Sequence, residues 1–279
     1  MNGLVFLNIN DFVVAWEVYC GRMISVDLSS SEGQTPLSSW IASVIKKKGI
    51  NWLHNELIME SIRQEYFPSK ISRLRGMYFF EDKKTAISAS KEWKDGHFNL
   101  DYLAEVEFLS ESSTTKVDHN WIVEKMNNRI DPDNRSDTEW IHKYWKGEKS
   151  NRSPLWELLV KGRAVVLGSE LRKKAYETIQ SKQLGTLGLL EVSRVAWGFG
   201  SHLGHIAAWL VKDPSNSYLE IKYAYDFRDA NDEKFLEKFE KYQGAKNTKD
   251  LNAHTELVSP DLRNEFLKFN ISDEGILYF

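Results

Sequence analysis

Two segments of this sequence carry side chains that could act together on an anionic, aromatic ligand. In the first, Ser72-Arg73-Leu74-Arg75-Gly76-Met77-Tyr78-Phe79-Phe80, two arginines lead into a glycine and a short aromatic run. Arginines two residues apart ahead of a glycine-containing turn can clamp a diphosphate through paired, charge-assisted hydrogen bonds. A tyrosine at the start of the strand offers a flat ring to a planar heterocycle. The order predicts both cations and the ring at the lip of a sheet. Eighty residues on, Pro154-Leu155-Trp156-Glu157-Leu158-Leu159-Val160-Lys161-Gly162 sets one carboxylate in an otherwise apolar strand. Positions two apart share a face, so Leu155 and Leu159 flank Glu157 while Trp156, Leu158 and Val160 face the other way. A carboxylate buried without a partner is costly, so Glu157 needs a partner or a purpose. The plain alternatives are a salt bridge to a buried arginine, or an edge position open to water. For Arg73, Arg75 and Tyr78 they are surface cations and a core aromatic.

Several elements must position these groups. Thr35-Pro36 predicts a helix start, with a capping side chain and a proline at the first position. Leu37, Trp40, Ile41, Val44 and Ile45 recur at helical spacing up to Gly49. Lys46, Lys47 and Lys48 fall in the last turn, opposing the negative end of the helix dipole. A second helix is predicted over 51–66, stopped by Pro68, then a strand over 76–80 and a helix capped by Asp82 that runs through Trp93. Alternation of Tyr102, Ala104, Val106 and Phe108 with Leu103, Glu105 and Glu107 predicts a half-buried strand. A polar loop over 128–137 and a helix over 138–145 lead to a strand over 155–167 that bends at Gly162. Further on, Ser169 is placed to cap a helix through Leu171, Ala175 and Ile179. The stretch 203–211 is short and apolar, and 218–225 alternates. An amphipathic helix over 232–242 closes at Gly244, and Ser259-Pro260 predicts a last helix. Helices and strands mix without a regular β-α-β period, so the fold class is α+β.

The chain has 279 residues, 42% hydrophobic and 28% charged, with 10 Trp, 11 Tyr and 14 Phe, enough for a substantial core. A net charge of −3 argues against a global attraction to nucleic acid. Arg63, Lys70, Arg73, Arg75, Lys83 and Lys84 nonetheless form a local basic cluster in sequence. One cysteine, Cys20, excludes an internal disulfide and fits a reducing compartment. Asn8, Asn10 and Asp11 interrupt the apolar N-terminal run, and no stretch reaches the length of a membrane span. The expectation is a cytoplasmic protein with no membrane partner. Walker, dinucleotide-fingerprint, nucleophile-elbow and kinase motifs are absent. His202 and His205 lack an accompanying third ligand, so no metal is expected.

The segment Gly76-Met77-Tyr78-Phe79, followed by a short loop and a helix with Ala86 and Trp93, resembles the central motif of the ADP-ribosyltransferases. The longer stretch 60–93 looks like bacterial and phage-associated members of toxin type. The Trp-Glu-Leu-Leu-Val-Lys-Gly stretch resembles the family's final strand, which carries the catalytic glutamate. The family's first motif would fall at Val18-Tyr19-Cys20-Gly21-Arg22. A clear first-motif histidine and the Ser-Thr-Ser signature are missing. The resemblance implies a split mixed β-sheet core over 1–168 that binds NAD as substrate, and a mixed C-terminal extension over 169–279 packed on it. It also implies Glu157 as the catalytic residue, Tyr78 stacked on nicotinamide, Arg73 or Arg75 on the diphosphate, and Tyr19 and Arg22 at the adenosine or ribose. ADP-ribose would pass to a macromolecule, an RNA or DNA base slightly favoured over protein, and a toxin of this kind would have an antitoxin partner in antiviral defence. The alternatives are an NAD glycohydrolase and a catalytically silent module on the same fold.

Overall fold

The computed structural model describes residues 2–26, 33–92, 98–109, 112–213, 217–242 and 257–270. Its elements, in order, are β1 (Asn2–Phe6), α1 (Phe12–Cys20), β2 (Arg22–Ile24), β3 (Gln34–Leu37), α2 (Ser39–Lys48), α3 (Ile50–Tyr66), β4 (Met77–Phe80), α4 (Lys83–Glu92), β5 (Leu103–Phe108) and β6 (Ser113–Asp118). They continue with α5 (Asn120–Lys125), α6 (Arg135–Lys146), β7 (Trp156–Lys161), β8 (Arg163–Val166), α7 (Glu170–Gln183), α8 (Leu187–Gly198), β9 (Ile206–Lys212), β10 (Tyr218–Tyr225), α9 (Glu233–Glu240) and β11 (Leu267–Asn270).

Among the described residues, seven strands form one sheet in the order β2-β8-β5-β1-β4-β7-β6, and four form a second in the order β11-β10-β9-β3. The fold is α+β, as the sequence predicts, but every strand pair among the described residues is antiparallel, so the expected mixed sheet is not what forms. The large sheet has a thin middle. β1 lies against β5 over five register pairs but meets β4 at one, Leu4 opposite Phe80. β7 and β8 are nearly continuous in sequence yet belong to opposite halves, β7 between β4 and β6, β8 between β5 and β2. The switch is made at Gly162, whose φ of +136° suits glycine. A Cβ there would lie 2.7 Å from the Ser112 hydroxyl.

Alternation sends the two faces of the large sheet into different cores. Val5, Phe79, Val106, Val160 and Val166 pack against α1, α7 and α8. Tyr78, Leu159 and Val117 pack against α2, α3 and α6, and that core continues into Leu210 and Leu219 of the second sheet. The second sheet therefore takes β3 from the N-terminal part and β9–β11 from the C-terminal part, so the boundary expected at 168 does not separate two self-contained sheets.

Local start and stop signals explain the corrected elements. Thr35 and Pro36 lie in edge strand β3, where a proline is tolerated. The following helix is capped by Ser38, whose hydroxyl accepts from the Ile41 amide. Residues 18–20, the start of the expected first motif, which the family carries on a strand, belong to helix α1, capped by Asp11 and ended by Gly21; only Arg22 lies on a strand, β2. The helix predicted over 138–145 starts three residues earlier at Arg135, capped by Asn134. Ser169 precedes α7 but makes no capping hydrogen bond. Ser259-Pro260 leads only to a single 3-10 turn and then β11. Trp93 and Gly244, expected at helix ends, lie outside the described residues.

Candidate functional site

Two clusters with the same parts list, an arginine, a histidine and carboxylate, occupy different layers of the molecule. The first forms around Glu157. Phe80 of β4 lies opposite Glu157 of β7 and Tyr78 opposite Leu159, so Tyr78 and Glu157 project from one face of adjacent strands. Glu157 is buried, and so is Arg73. The Arg73 guanidinium donates to both oxygens of the buried Glu56 at 2.9 Å and to the Tyr144 hydroxyl at 2.8 Å, and lies 3.6 Å from Glu157. It also sits 5.1 Å from the centre of the Tyr78 ring, a cation–π distance. The Tyr78 hydroxyl donates to the Arg73 carbonyl. His119, at the start of α5, lies with Nδ1 3.0 Å from Glu157. Because a carboxylate only accepts, this bond places the proton on Nδ1.

Arg73 is therefore not at the lip of the sheet. Burial is the largest influence and disfavours its charge, but Glu56, Tyr144 and Tyr78 together outweigh it and hold the guanidinium pKa well above its ordinary range. Burial likewise pushes the Tyr78 hydroxyl well above its ordinary range. Two carboxylates, Glu56 and Glu157, thus face the one Arg73 guanidinium, and His119 is a second partner of Glu157. Arg75 is half-buried, and its carbonyl accepts from the Val26 amide.

The second cluster forms around Glu17. Arg22 opens β2 and is fully buried. Its guanidinium donates to both Glu17 oxygens, and a third contact reaches the Leu203 carbonyl at 3.3 Å. His205 Nδ1 lies 3.1 Å from Glu17, and the Ile206 amide donates to the same carboxylate at 3.0 Å. Burial alone would raise the Glu17 pKa, but Arg22 and His205 outweigh it and hold the carboxyl down to about 2. Tyr19, expected beside Arg22, points elsewhere. Its hydroxyl donates to Glu191 on α8, and its ring leans on Tyr176.

The second cluster opens onto space. A narrow cavity of about 60 Å³ is lined by Glu17, Arg22, Ser38, Trp40, Gly76 and Met77, among others. A wider one of about 490 Å³ lies between the end of β2 and strands β9 and β10, with His202, Trp209, Tyr225, Asp226, Phe227 and Arg228 in its wall. Ile24 and His205 line both. Glu157 lines neither. Trp40 connects the two clusters, because it walls the narrow cavity and its ring lies 6.3 Å from that of Tyr78. Val18 and Arg22 line the narrow cavity together with Gly76 and Met77, whereas Tyr19, Arg73, Arg75, Tyr78 and Glu157 do not.

The expected basic cluster is dispersed. Arg63 is paired with Glu60 and Arg73 with Glu56, while Lys83 and Lys84 are exposed. No group of three or more His, Cys, Asp or Glu side chains arranged to hold a metal occurs among the described residues. No helix among them is long and apolar enough to cross a membrane. Cys20 is buried, which pushes its thiol up to about 12 and leaves it unreactive.

Glu17, Glu56, His119 and Tyr144 were not singled out by motif. Glu17 carries the same signal that marked Glu157, a lone acid in an apolar run (Phe12-Val13-Val14-Ala15-Trp16-Glu17-Val18). Glu56, His119 and Tyr144 carry no such signal. No curated protein matches this chain. The profile of a family described as protein of unknown function, DUF2441, matches residues 28–179, a stretch that holds α2–α6 and the whole Glu56–Arg73–His119–Glu157 cluster. With more than half its length matched, the chain belongs to the DUF2441 family.

Proposed function

We propose that this chain is an ADP-ribosyltransferase of toxin type that cleaves NAD between nicotinamide and ribose and passes ADP-ribose to a macromolecule. The observation that carries the proposal is the placement of Tyr78 and Glu157 on one face of adjacent strands, with Trp40 joining Tyr78 to a cavity that Arg22 and Gly76-Met77 also line. The thin middle of the large sheet, bridged by the β7–β8 chain, supports the split-sheet scaffold that the resemblance implies.

The residues present fit the donor in kind. The wide cavity lies within the ~300–1,000 Å³ usual for ligand pockets. Trp209 and Phe227 offer flat walls to planar rings, and Arg228, exposed but paired with Asp226, would have to exchange that partner to meet a diphosphate. Arg22 and Arg73 do not serve as phosphate clamps, since Glu17 and Glu56 each already engage one of them through two bonds at the Nε–Nη2 edge; they fix the carboxylates instead. Glu157 lines neither cavity, so for it to stabilise the positive charge that develops on the ribose as the glycosidic bond breaks, Trp40 and Tyr78 must move aside to admit the ribose. The bond of Glu157 to His119 is the exchangeable one, because Arg73 is held by Glu56 and Tyr144 while His119 keeps a 12% exposed side chain.

The acceptor favoured is a nucleic-acid base, and an antitoxin would mask the mouth of the wide cavity. Incubating a cell extract with labelled NAD, then digesting separately with RNase, DNase and protease, identifies the acceptor. Glu157→Gln is expected to lower nicotinamide release at least 100-fold with an unchanged circular dichroism spectrum; near-wild-type release would remove Glu157 from the chemistry. The same buried network favours a second reading, a catalytically silent module in which Glu157 is a structural ion-pair partner. In that case NAD produces no thermal shift and no nicotinamide appears.

A further inference from the structure

His205 stands where the two cavities meet, and its environment fixes how it can use its proton. Glu17 receives two bonds from Arg22, one from the Ile206 amide and one from His205 Nδ1. An ionised carboxylate so loaded only accepts, so Nδ1 carries a hydrogen and Nε2 carries the lone pair of the neutral ring. Nε2 has no hydrogen-bond partner among the described residues. The backbone holds the ring in place from both sides, since the His205 amide donates to the His202 carbonyl and the His205 carbonyl accepts from the Asp226 amide. A carboxylate that fixes the tautomer of a histidine facing an open cavity is the arrangement of a general base and its orienting partner.

We propose that His205 is the proton-accepting catalytic residue of this site, with Glu17 as its positioning residue, and that the acceptor carries a proton to give up. The proposal rests on the NAD reading above. The acceptor atom, a hydroxyl oxygen or a ring or amino nitrogen bearing hydrogen, uses its electron pair to bond to C1′ of the ribose. The C1′–N bond to nicotinamide breaks and its pair leaves with nicotinamide, whose positive charge is thereby neutralised. The acceptor's proton passes to His205 Nε2 and from there to solvent. Carboxylate acceptors, which have no proton to lose at neutral pH, are excluded by this role. The charged and titratable groups around His205 are Glu17 from α1, Arg22 from β2, His202 from the preceding loop, Tyr225 of β10, and Asp226 and Arg228 after it.

The test is His205→Asn, which keeps a donor in the place of Nδ1 and removes Nε2. NAD affinity is read by titration calorimetry, and nicotinamide release is measured from about pH 5 to 9, the span in which an imidazole changes charge. In the wild type, release at saturating NAD should rise with pH. In the variant it should fall about 100-fold or more and lose that rise, with affinity within about twofold of wild type. If the variant releases nicotinamide at the wild-type rate, or a flat wild-type profile is found, the role of His205 is overturned while the NAD reading stands. A wild-type protein that neither binds NAD nor releases nicotinamide overturns both. Should the variant not fold, the wild-type profile alone still decides, since a flat line leaves no base to find.

Discussion

At the scale of single residues, the molecule neutralises its buried acids in two different ways. Glu17 is held by one arginine, one histidine and one amide, whereas Glu56 and Glu157 share Arg73, with His119 on the outer side. Because the folded Glu17 carboxyl sits below its usual 4.5, at about 2, its contribution to stability is complete above about pH 4.5 and is lost as pH falls toward 2. Melting temperatures measured across that range should drop steeply in the wild type and less in Glu17→Gln. Removing Arg22 strands the acid. Arg22→Met is expected to destabilise by about 3–5 kcal/mol in urea unfolding, and a change below 1 kcal/mol would mean that Glu17 escapes to water or takes a proton at little expense. The lone-acid signal found Glu157 and would have found Glu17. Arg73 was legible as a residue of interest but not as a buried one, because its partner Glu56 lies on a helix 17 residues earlier whose acids look alike in sequence.

At the scale of elements, helices were easier to read than edges. The α3 helix, β4, β5 and β10 fall within a residue or two of the sequence expectation, since periodicity and caps are local. β3 was misread as a helix start because a Thr-Pro pair signals either a cap or an edge strand, and only pairing with β9, about 170 residues away, decides. The α8 helix is nearly all buried, so its periodicity offers no polar face to detect. Gly162 was legible as a bend, and its consequence is sharper than a bend, a change of partner strands. Gly162→Ala should destabilise by about 1–3 kcal/mol, because φ is positive and Ser112 fills the space. Chemical denaturation measures it, and Gly185→Ala, with open space around it, serves as the comparison.

For the whole molecule, α1 decides how much chain is needed. It packs against α7 and α8, and Trp16 donates to the Gly204 carbonyl at 2.9 Å. A fragment ending at 168 would expose that helix face and leave β3 without β9. It is expected to lack a cooperative melting transition, and a fragment that melts cooperatively would restore the two-part division that the sequence implied. The fold class was legible because element types are local; the interleaving of the two ends of the chain was not, since no short-range pattern records it.

The seam between β1 and β4 is where the large sheet is held most lightly. A sheet fastened there at one rung, Leu4 to Phe80, yet tied across by an unbroken backbone from Trp156 to Val166, has its weakest line beside its strongest tether. Breathing of the molecule would part the two halves along that line while keeping them aligned, and amide protons bordering it would trade with deuterium sooner than those between β1 and β5.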